Sequence, residues 1–600
     1  MLFYNFDILD ILLATLAVVV TSILLVLLCI QTLQKLQLSN YRVKEYKNYA
    51  KKTKHTYFLR LLYLSILISI AIGIYLSTFY TFQNFRWIGY LFFIVLSLCY
   101  LQVNKNVNAK TPLQITARIK RLLVLLTTII LSINFCIFFL IPFEWAYIFV
   151  GVLPVTTIPL SILAMLIIYP LENTIKNRYI QKAKNKLQQR VSHSKQSKPP
   201  FQSNSKYFSS QLQSTNDNYT QTKNSLKVVG ITGSYGKTTA KNILQALLQT
   251  KYKVCATQGN YNTPMGITLT INNHLTEDDE VLILELGARY RKDIQELTAI
   301  APLDYCLITS VGDCHLETFG SLQAIVDTKC DIVDGLKENG IAIVCGDNAA
   351  TQNRLKDNNK VVFINRNYDK TNHPSDIHSK NEPDNVSKNQ FVSTKNIRTT
   401  TQGTSWTQTI HNQQFELSTI LLGEHIPHIT NLCIALAYHM GITDIQSIQQ
   451  SIKKIEPVPH RLQLIQNQTN PDTIVIDDSY NANYESIKTA LAILSKFNDY
   501  KKIIITPGIV EQGVTQTMTN KQVGYLIPTV CDYALLVGTN GEDIAKGIQE
   551  SQTPNEQTTI NQCNCLVQLF ENRDKAVQHL SYIQGNKVVL FCNDLPDNFI

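Results

Sequence analysis

Lys237 and Thr238 close a glycine-rich run, Gly233-Ser234-Tyr235-Gly236-Lys237-Thr238-Thr239. These residue types in this order suit phosphate chemistry. Glycines let backbone N–H groups approach phosphate oxygens. A lysine there reaches the β- and γ-phosphates, and the following hydroxyl ligates Mg²⁺. The strict spacing G-x-x-x-x-G-K-[ST] is not met, because Ile231 stands where the first glycine belongs. The flanks decide the reading. Val228, Val229 and Ile231 form a short apolar run, as a buried strand does. Ala240, Ile243, Leu244, Leu247 and Leu248 then recur at helical spacing. Strand, glycine loop and helix N-terminus together make an anion cradle, so ATP is the expected ligand. The bland alternative is a glycine turn with a snorkelling surface lysine.

Other residues suited to chemistry follow in order. Asn260 and Asn262 lie in a polar loop, Thr257 to Gly266, shaped either for ligand contact or as a simple turn. Glu285 ends an apolar strand-like run, where an open α/β sheet places its ligand crevice. It is placed to hold Mg²⁺ together with Thr238. His315 stands alone in a polar stretch, and a lone histidine is more often structural than a ligand. Lys329 sits in a helical stretch and is unremarkable by itself.

The elements that must position these residues divide the chain into unlike halves. Its 600 residues imply several domains. Apolar runs at 8–30, 61–80, 87–103, 122–142 and 145–169 each approach the roughly 20 residues that span a membrane. Basic residues crowd the connections from Lys35 to Arg60, Lys105 to Arg121 and Lys176 to Arg190, whereas the other two carry only Arg86 and Glu144. This asymmetry predicts a multi-pass protein of the cell membrane, N-terminus outside and everything after residue 169 in the cytoplasm. The net charge of +10 is read as membrane topology and not as a nucleic-acid footprint. No ionisable residue lies deep within a span, which argues against an ion pathway. The thirteen cysteines are read as free thiols in a reducing compartment. The expected organisation is multi-domain. It comprises an α-helical transmembrane bundle over 1–190, a disordered linker over 191–225, an α/β P-loop ATPase-type central domain over 226–456 and an α/β Rossmann-like C-terminal domain over 457–600. The stretch 366–400 reads as a surface insertion or long loop. In the last domain, 473–476, 503–505, 534–537 and 588–590 read as strands.

The order of motifs resembles a family. TGSYGKTT, GNYNTPMGIT, LELGA and HLETFGS with Lys329, then His460-Arg461-Leu462 and the run Asp477-Asp478-Ser-Tyr-Asn481-Ala-Asn483, resemble the Mur ligases of cell-wall synthesis. Within them the MurF branch, which adds D-alanyl-D-alanine, is most similar. The resemblance covers 226–600 and none of the membrane half. It implies that Lys237 and the backbone from Gly233 to Thr239 hold ATP phosphates. Thr238 and Glu285 would bind one Mg²⁺, and His315 would help bind a second. Lys329 matches a lysine that the family carbamylates into a metal ligand. Asn431, Arg461 and Asp478 match nucleotide contacts. Asn260 and Asn262 match a loop beside substrate and phosphates, and Asn481 and Asn483 a loop between the last two domains. Departures occur as well. The spacing from His425 to Asn431 is long, and Arg289-Tyr290 replaces Asn-His. Tyr484 replaces a proline, the stretch 506–513 replaces GDMxELG, and 591–596 replaces KGSR.

The implied reaction is ATP-dependent amide formation through an acyl phosphate. The partners are D-Ala-D-Ala and a UDP-MurNAc-peptide, or a lipid-linked equivalent, at the membrane bilayer. A soluble domain gripping the UDP end is usual in the MurF branch, and membrane runs stand in its place. The alternatives are a Mur-type ligase with a different amine substrate, a membrane-embedded P-loop ATPase, and a catalytically silent scaffold.

Overall fold

The structure is a computed structural model, and it describes residues 8–38, 41, 113–140, 143–195, 225–259, 261–365, 391–466, 472–480, 482–552 and 565–593. It divides into two compact units, the second running from Arg178 to Asp594.

The first unit holds helices α1 (Ile8–Leu38), α2 (Ala117–Leu140) and the N-terminal part of α3 (Phe143–Lys195). Leu25, Leu28, Leu33 and Leu36 pack on Leu122, Leu126 and Ile130, and Met165 and Ile168 complete this core. One buried polar pair, Asn134 Nδ2 donating to Ser22 Oγ at 2.8 Å, joins α2 to α1. The outer faces are apolar too: Leu12, Ile23, Val124, Phe135, Leu166 and Ile167 are exposed. Two stretches among the described residues are long and apolar enough to cross a membrane, Ala117–Ile137 and Thr156–Arg190. The runs expected at 61–80 and 87–103 lie outside the described residues.

In the second unit the strands β1 (Lys227–Thr232), β2 (Val254–Ala256), β3 (Val281–Glu285), β4 (Leu303–Ile308), β5 (Leu336–Cys345) and β6 (Val361–Ile364) form a parallel sheet in the order β2-β3-β1-β4-β5-β6. Both faces are covered, so its strands read as apolar runs and not as alternation. Val229, Ile231 and Ile283 face helix α4 (Lys237–Leu248), which buries Ala240, Ile243, Leu244 and Leu247 there. Val228, Leu282 and Leu284 face the other way, toward Ile325 and Val326. The order reverses at β1, whose neighbours are β3 and β4. A crevice at that switch point, outside the carboxyl ends of the strands, is where this architecture binds ligands.

Three departures from the sequence reading have physical causes. Helix α3 runs on to Lys195, past the expected linker boundary, and its residues from Arg178 onward belong to the second unit. There Ala183 and Leu187 are buried with Ile267, Ile271 and Leu275. Lys186 Nζ donates to the carbonyls of Leu275 at 2.7 Å and Asn272 at 3.3 Å, and Arg190 donates to that of Thr276 at 3.0 Å. Basic residues read only as a membrane-flanking cluster thus also satisfy carbonyls at the end of the π-helical turn Thr270–His274. Second, the supposed insertion contains a strand. β7 (Val392–Thr400) pairs with β8 (Gly403–Ile410), and β8 with β9 (Gln413–Thr419), in an antiparallel sheet that buries Trp406. Residues 366–390 lie outside the described residues. Third, the sequence reading lacks the two edge strands of the C-terminal sheet: β10 (Gln463–Gln466), short and half polar, and β14 (Leu566–Phe570), apolar in sequence but little buried. That sheet has the order β10-β11-β15-β12-β13-β14, with β11 (Thr473–Asp478), β12 (Lys501–Thr506), β13 (Tyr533–Val537) and β15 (Lys587–Cys592).

Leu187→Ala leaves a cavity within the second unit, beside Ile267, Ile271 and Leu275. It is expected to lower that unit's unfolding free energy by about 2–4 kcal/mol, read as a shifted denaturant midpoint of the full chain. An unchanged midpoint would show that α3 does not belong to this core.

Candidate active site

The strand β1 delivers the chain into the glycine loop. Ser234 N donates to Ser310 O at 2.7 Å, tying the loop to the segment after β4. Gly233 has φ +151°, and a Cβ there would lie 2.1 Å from Thr309 Oγ1, so no larger residue fits. Gly236 precedes α4, and no side chain caps that helix N-terminus. Its first N–H groups and the positive end of the helix dipole therefore suit an anion. Lys237 Nζ folds back onto its own loop, donating to Gly233 O at 2.7 Å and Ser234 O at 3.3 Å. Desolvation lowers its pKa. Tyr235 Oη donates to Asp313 Oδ1 at 2.8 Å, and Thr239 sits in the first turn of α4.

Register places Glu285 beside this loop, opposite Ile231. Glu285 is 2% exposed. Thr238 Oγ1 lies 3.0 and 3.2 Å from its two oxygens, and Asn262 Nδ2 lies 3.4 Å from Oε1. Asn262 can come so close because residue 287 is glycine. Gly287 N donates to Asn262 O at 2.9 Å, and a Cβ on Gly287 would meet Asn262 Cγ at 2.8 Å. Lys241, one turn after Lys237 on α4, completes the cluster with Nζ 3.4 Å from Glu285 Oε2.

Two further groups come from the loop after β4 and the helix that follows. Lys329, on α5 (Leu322–Asp334), is 3% exposed, and burial, with the nearby charge of Lys237, brings its pKa down to about 7. His315 adopts φ +60°, uncommon for a non-glycine residue. Its Nδ1 contacts Glu511 Oε2, and Arg289 Nη2 pairs with Glu511 Oε1. Burial alone would lower the His315 pKa, but the hydrogen bonds and charges of Cys314 and Glu511 outweigh it and raise it. Glu511 belongs to the segment after β12, so this cluster ties the C-terminal sheet to the central one.

Arg461 makes a second tie. Its Nη2 donates to Thr238 Oγ1 at 3.4 Å, and its guanidinium lies 4.4 Å over the Tyr480 ring. Its neighbours His460 and Leu462 both have positive φ, +63° and +48°. Strain of that kind concentrates at functional sites. Asp478 is buried and accepts from Leu462 N at 3.3 Å through Oδ1, while Oδ2 has no hydrogen-bond partner among the described residues. Burial pushes its carboxyl up to about 7. An orphaned buried acceptor suits a ligand hydroxyl.

The remaining sequence candidates separate. Asn431, on α6 (His425–His439), is buried, and its Oδ1 accepts from Gln408 Nε2 at 2.8 Å. Asn483 caps α7 (Tyr484–Leu494), its side chain accepting from Ser486 N at 2.9 Å. Asn260 and Asn481 lie outside the described residues. Sequence reasoning missed Lys241 and Gln408, and met Glu511 only within the departing stretch 506–513, without assigning it a role. Of the two missed, Lys241 carried a usable signal, its i,i+3 relation to Thr238 on one helix.

The donor set bears on the metal. Thr238 and Glu285 offer hard oxygens from two side chains, which fits Mg²⁺, an ion held by one or two carboxylates plus substrate phosphates and water. No group of three or more His, Cys, Asp or Glu among the described residues forms a complete cage. The Nδ1 edge of His315 is taken by Glu511.

Residues 231–439 match the Mur ligase middle domain, and residues 460–593 match the Mur ligase glutamate ligase domain. The UDP-N-acetylmuramoyl-tripeptide--D-alanyl-D-alanine ligase of Escherichia coli (strain K12) is 30% identical over 334 residues, 54% of this chain and 68% of that protein. The chain belongs to the Mur ligase family. The Bacillus subtilis (strain 168) ligase of the same name is 29% identical over 54% of this chain and 65% of its own length. This Mur ligase shares its fold with MurF from Acinetobacter baumannii, with a TM-score of 0.52 and 20% identity over 62% of this chain and 74% of that one. Thermotoga maritima MurF in complex with ADP gives 0.51 and 23% identity, covering 62% and 78%.

Because Glu511 holds the His315 pKa up, that contact contributes stability while the imidazole is protonated, and the contribution is lost as pH rises through the raised pKa. Glu511→Gln is expected to lower the His315 pKa in an NMR titration, with the upward influence of Cys314 remaining against burial. An unchanged pKa would contradict the assigned contact.

Proposed function

We propose that this Mur ligase joins D-Ala-D-Ala to UDP-MurNAc-tripeptide in an ATP- and Mg²⁺-dependent reaction. The substrate carboxylate attacks the γ-phosphorus of ATP, giving an acyl phosphate and ADP. The dipeptide amine then attacks the acyl carbon, loses a proton, and phosphate departs with the C–O bond electrons. The observation that carries this reading is the convergence on one sheet edge of Lys237 in an uncapped glycine loop, Thr238 against buried Glu285, and the nearby amine of Lys329. The names of the similar proteins support the choice of substrates.

In this reading no side chain is the nucleophile. The loop backbone and Lys237 hold the phosphates and spread the charge that builds on the transferred group. Thr238 and Glu285 hold Mg²⁺, which supplies further neutralisation of that charge. Asn262, fixed against Gly287 and Glu285, orients the loop that faces the carboxylate substrate. Arg461 and Asp478 bring the C-terminal domain onto the nucleotide, with Asn431 on its base side. Lys329 supports carbamylation: a pKa of about 7 leaves much of the amine neutral at neutral pH, and the neutral amine is the form that attacks CO₂.

The reading extends to location. The apolar runs, the clustering of Lys and Arg in alternate connections and the apolar outer faces of α1 and α2 support a multi-pass anchor in the cell membrane with the ligase on the cytoplasmic side. The soluble UDP-linked substrate is favoured over a lipid-linked one, since it is the substrate in the names of the similar proteins.

Lys237→Ala is expected to cut phosphate release by about 10²–10³-fold. Lys329→Ala is expected to lose activity and to regain part of it with added short carboxylic acids. In wild-type protein at limiting bicarbonate, activity should rise as pH increases through about 7. Full turnover by the Lys237 variant, or absence of rescue at position 329, would contradict these roles.

A further inference from the structure

The group that neither the glycine loop nor the proposed reaction uses is Lys241. It is 3% exposed, an uncommon state for a lysine unless it is paired. Its Nζ has two partners from different elements: Glu285 Oε2 at 3.4 Å, at the end of β3, and Gly259 O at 2.8 Å, in the loop after β2. Desolvation lowers the Lys241 pKa and Glu285 opposes it.

The geometry matters because of what each partner carries. Glu285 is the carboxylate assigned to Mg²⁺. Gly259 opens the loop that continues to Asn262, whose Nδ2 also reaches Glu285. The loop is therefore fastened to one carboxylate twice, by the amide at residue 262 and by the ammonium bridging from residue 259. A buried carboxylate without a compensating charge is costly. Lys241 supplies that charge while the protein is free of ligand. A neutral donor at position 241 could hold one partner but could not balance the charge.

We propose that Lys241 is a positioning residue of the ligase, its ammonium clamping the Gly259 carbonyl to the Glu285 carboxylate and so setting the substrate loop against the metal-binding edge before nucleotide and Mg²⁺ arrive. This rests on the reading of Glu285 as the metal carboxylate. It goes beyond that reading in assigning a buried lysine outside the glycine loop to control both the metal edge and the carboxylate substrate.

The test uses the full-length protein in detergent, with Lys241→Met, Glu285→Gln and the double variant. The melting temperature is read with and without ADP and Mg²⁺, and KM and kcat are read for the UDP-linked substrate. Lys241→Met should lower the ligand-free melting temperature by on the order of 5–10 °C. Its rise on adding ADP with Mg²⁺ should exceed that of wild type, because the ion now supplies the missing charge. KM for the UDP-linked substrate should rise about tenfold or more, while KM for ATP should not rise. In the Glu285→Gln background, Lys241→Met should have a much smaller thermal effect, a non-additivity expected only if the two groups act on each other. Additive thermal effects, or an unchanged substrate KM in Lys241→Met, would overturn the proposal. If Glu285→Gln keeps the full thermal response to ADP with Mg²⁺ while the two substitutions remain non-additive, the metal assignment fails and the lysine clamp stands. Should the Met variant not fold, Lys241→Gln, of similar length and uncharged, carries the same comparisons.

Discussion

A carboxylate buried at the end of a strand constrains this site more than any other group. Glu285 sits at the carboxyl end of β3, next to the strand that feeds the glycine loop, and is almost wholly removed from water. Such a group persists only if its surroundings are arranged around it. Thr238, Lys241 and Asn262 are that arrangement, and they come from the glycine-loop helix and the following polar loop. The position of each is set by something else in turn. Thr238 and Lys241 lie one turn apart on α4, whose opposite face is locked in the core. Asn262 lies against a glycine that leaves room for it. The phosphate cradle, the metal edge and the substrate loop are thus one packed object.

That object is held from outside by three contacts of different character. Arg461 reaches Thr238 from the C-terminal domain, with its neighbours in strained backbone conformations. Glu511 joins Arg289 and His315 across the same two domains. The last turns of α3 pack beneath the turn Thr270–His274 that follows the substrate loop. The first two contacts are few, polar and partly exposed, which suits a joint that opens and closes around a nucleotide. The third is apolar and buried, which suits a permanent attachment. The chain that precedes the ligase by sequence is therefore, from Arg178 onward, part of the ligase by packing.

Much of this was legible in the residues. The parallel sheet faces, the glycine loop and Glu285 at a strand end follow from patterns that local physics writes directly into sequence. Other features depended on distant partners and could not be read. Lys241 stands three residues after Thr238 on the glycine-loop helix, but only the fold brings Glu285 and Gly259 to it. Glu511 lies almost two hundred residues from His315. The strand Val392–Thr400 is polar because it belongs to a small antiparallel sheet of consecutive hairpins that buries only some of its residues, so pairing with its neighbour Gly403–Ile410 and not apolar sequence marks it as a strand. Asn483 shows the reverse case: a residue matched to a family motif whose visible role here is to cap a helix.

The central claim, that a substrate carboxylate takes the γ-phosphoryl group, is tested most directly by following oxygen. Full-length protein would be given ATP, Mg²⁺, D-Ala-D-Ala and UDP-MurNAc-tripeptide labelled with ¹⁸O in its terminal carboxylate, and the mass of the released phosphate measured. An acyl phosphate leaves one carboxylate oxygen on phosphorus, so the account predicts phosphate carrying one ¹⁸O for each amide formed. Unlabelled phosphate would mean that water, and not the carboxylate, attacks ATP, and would contradict the account.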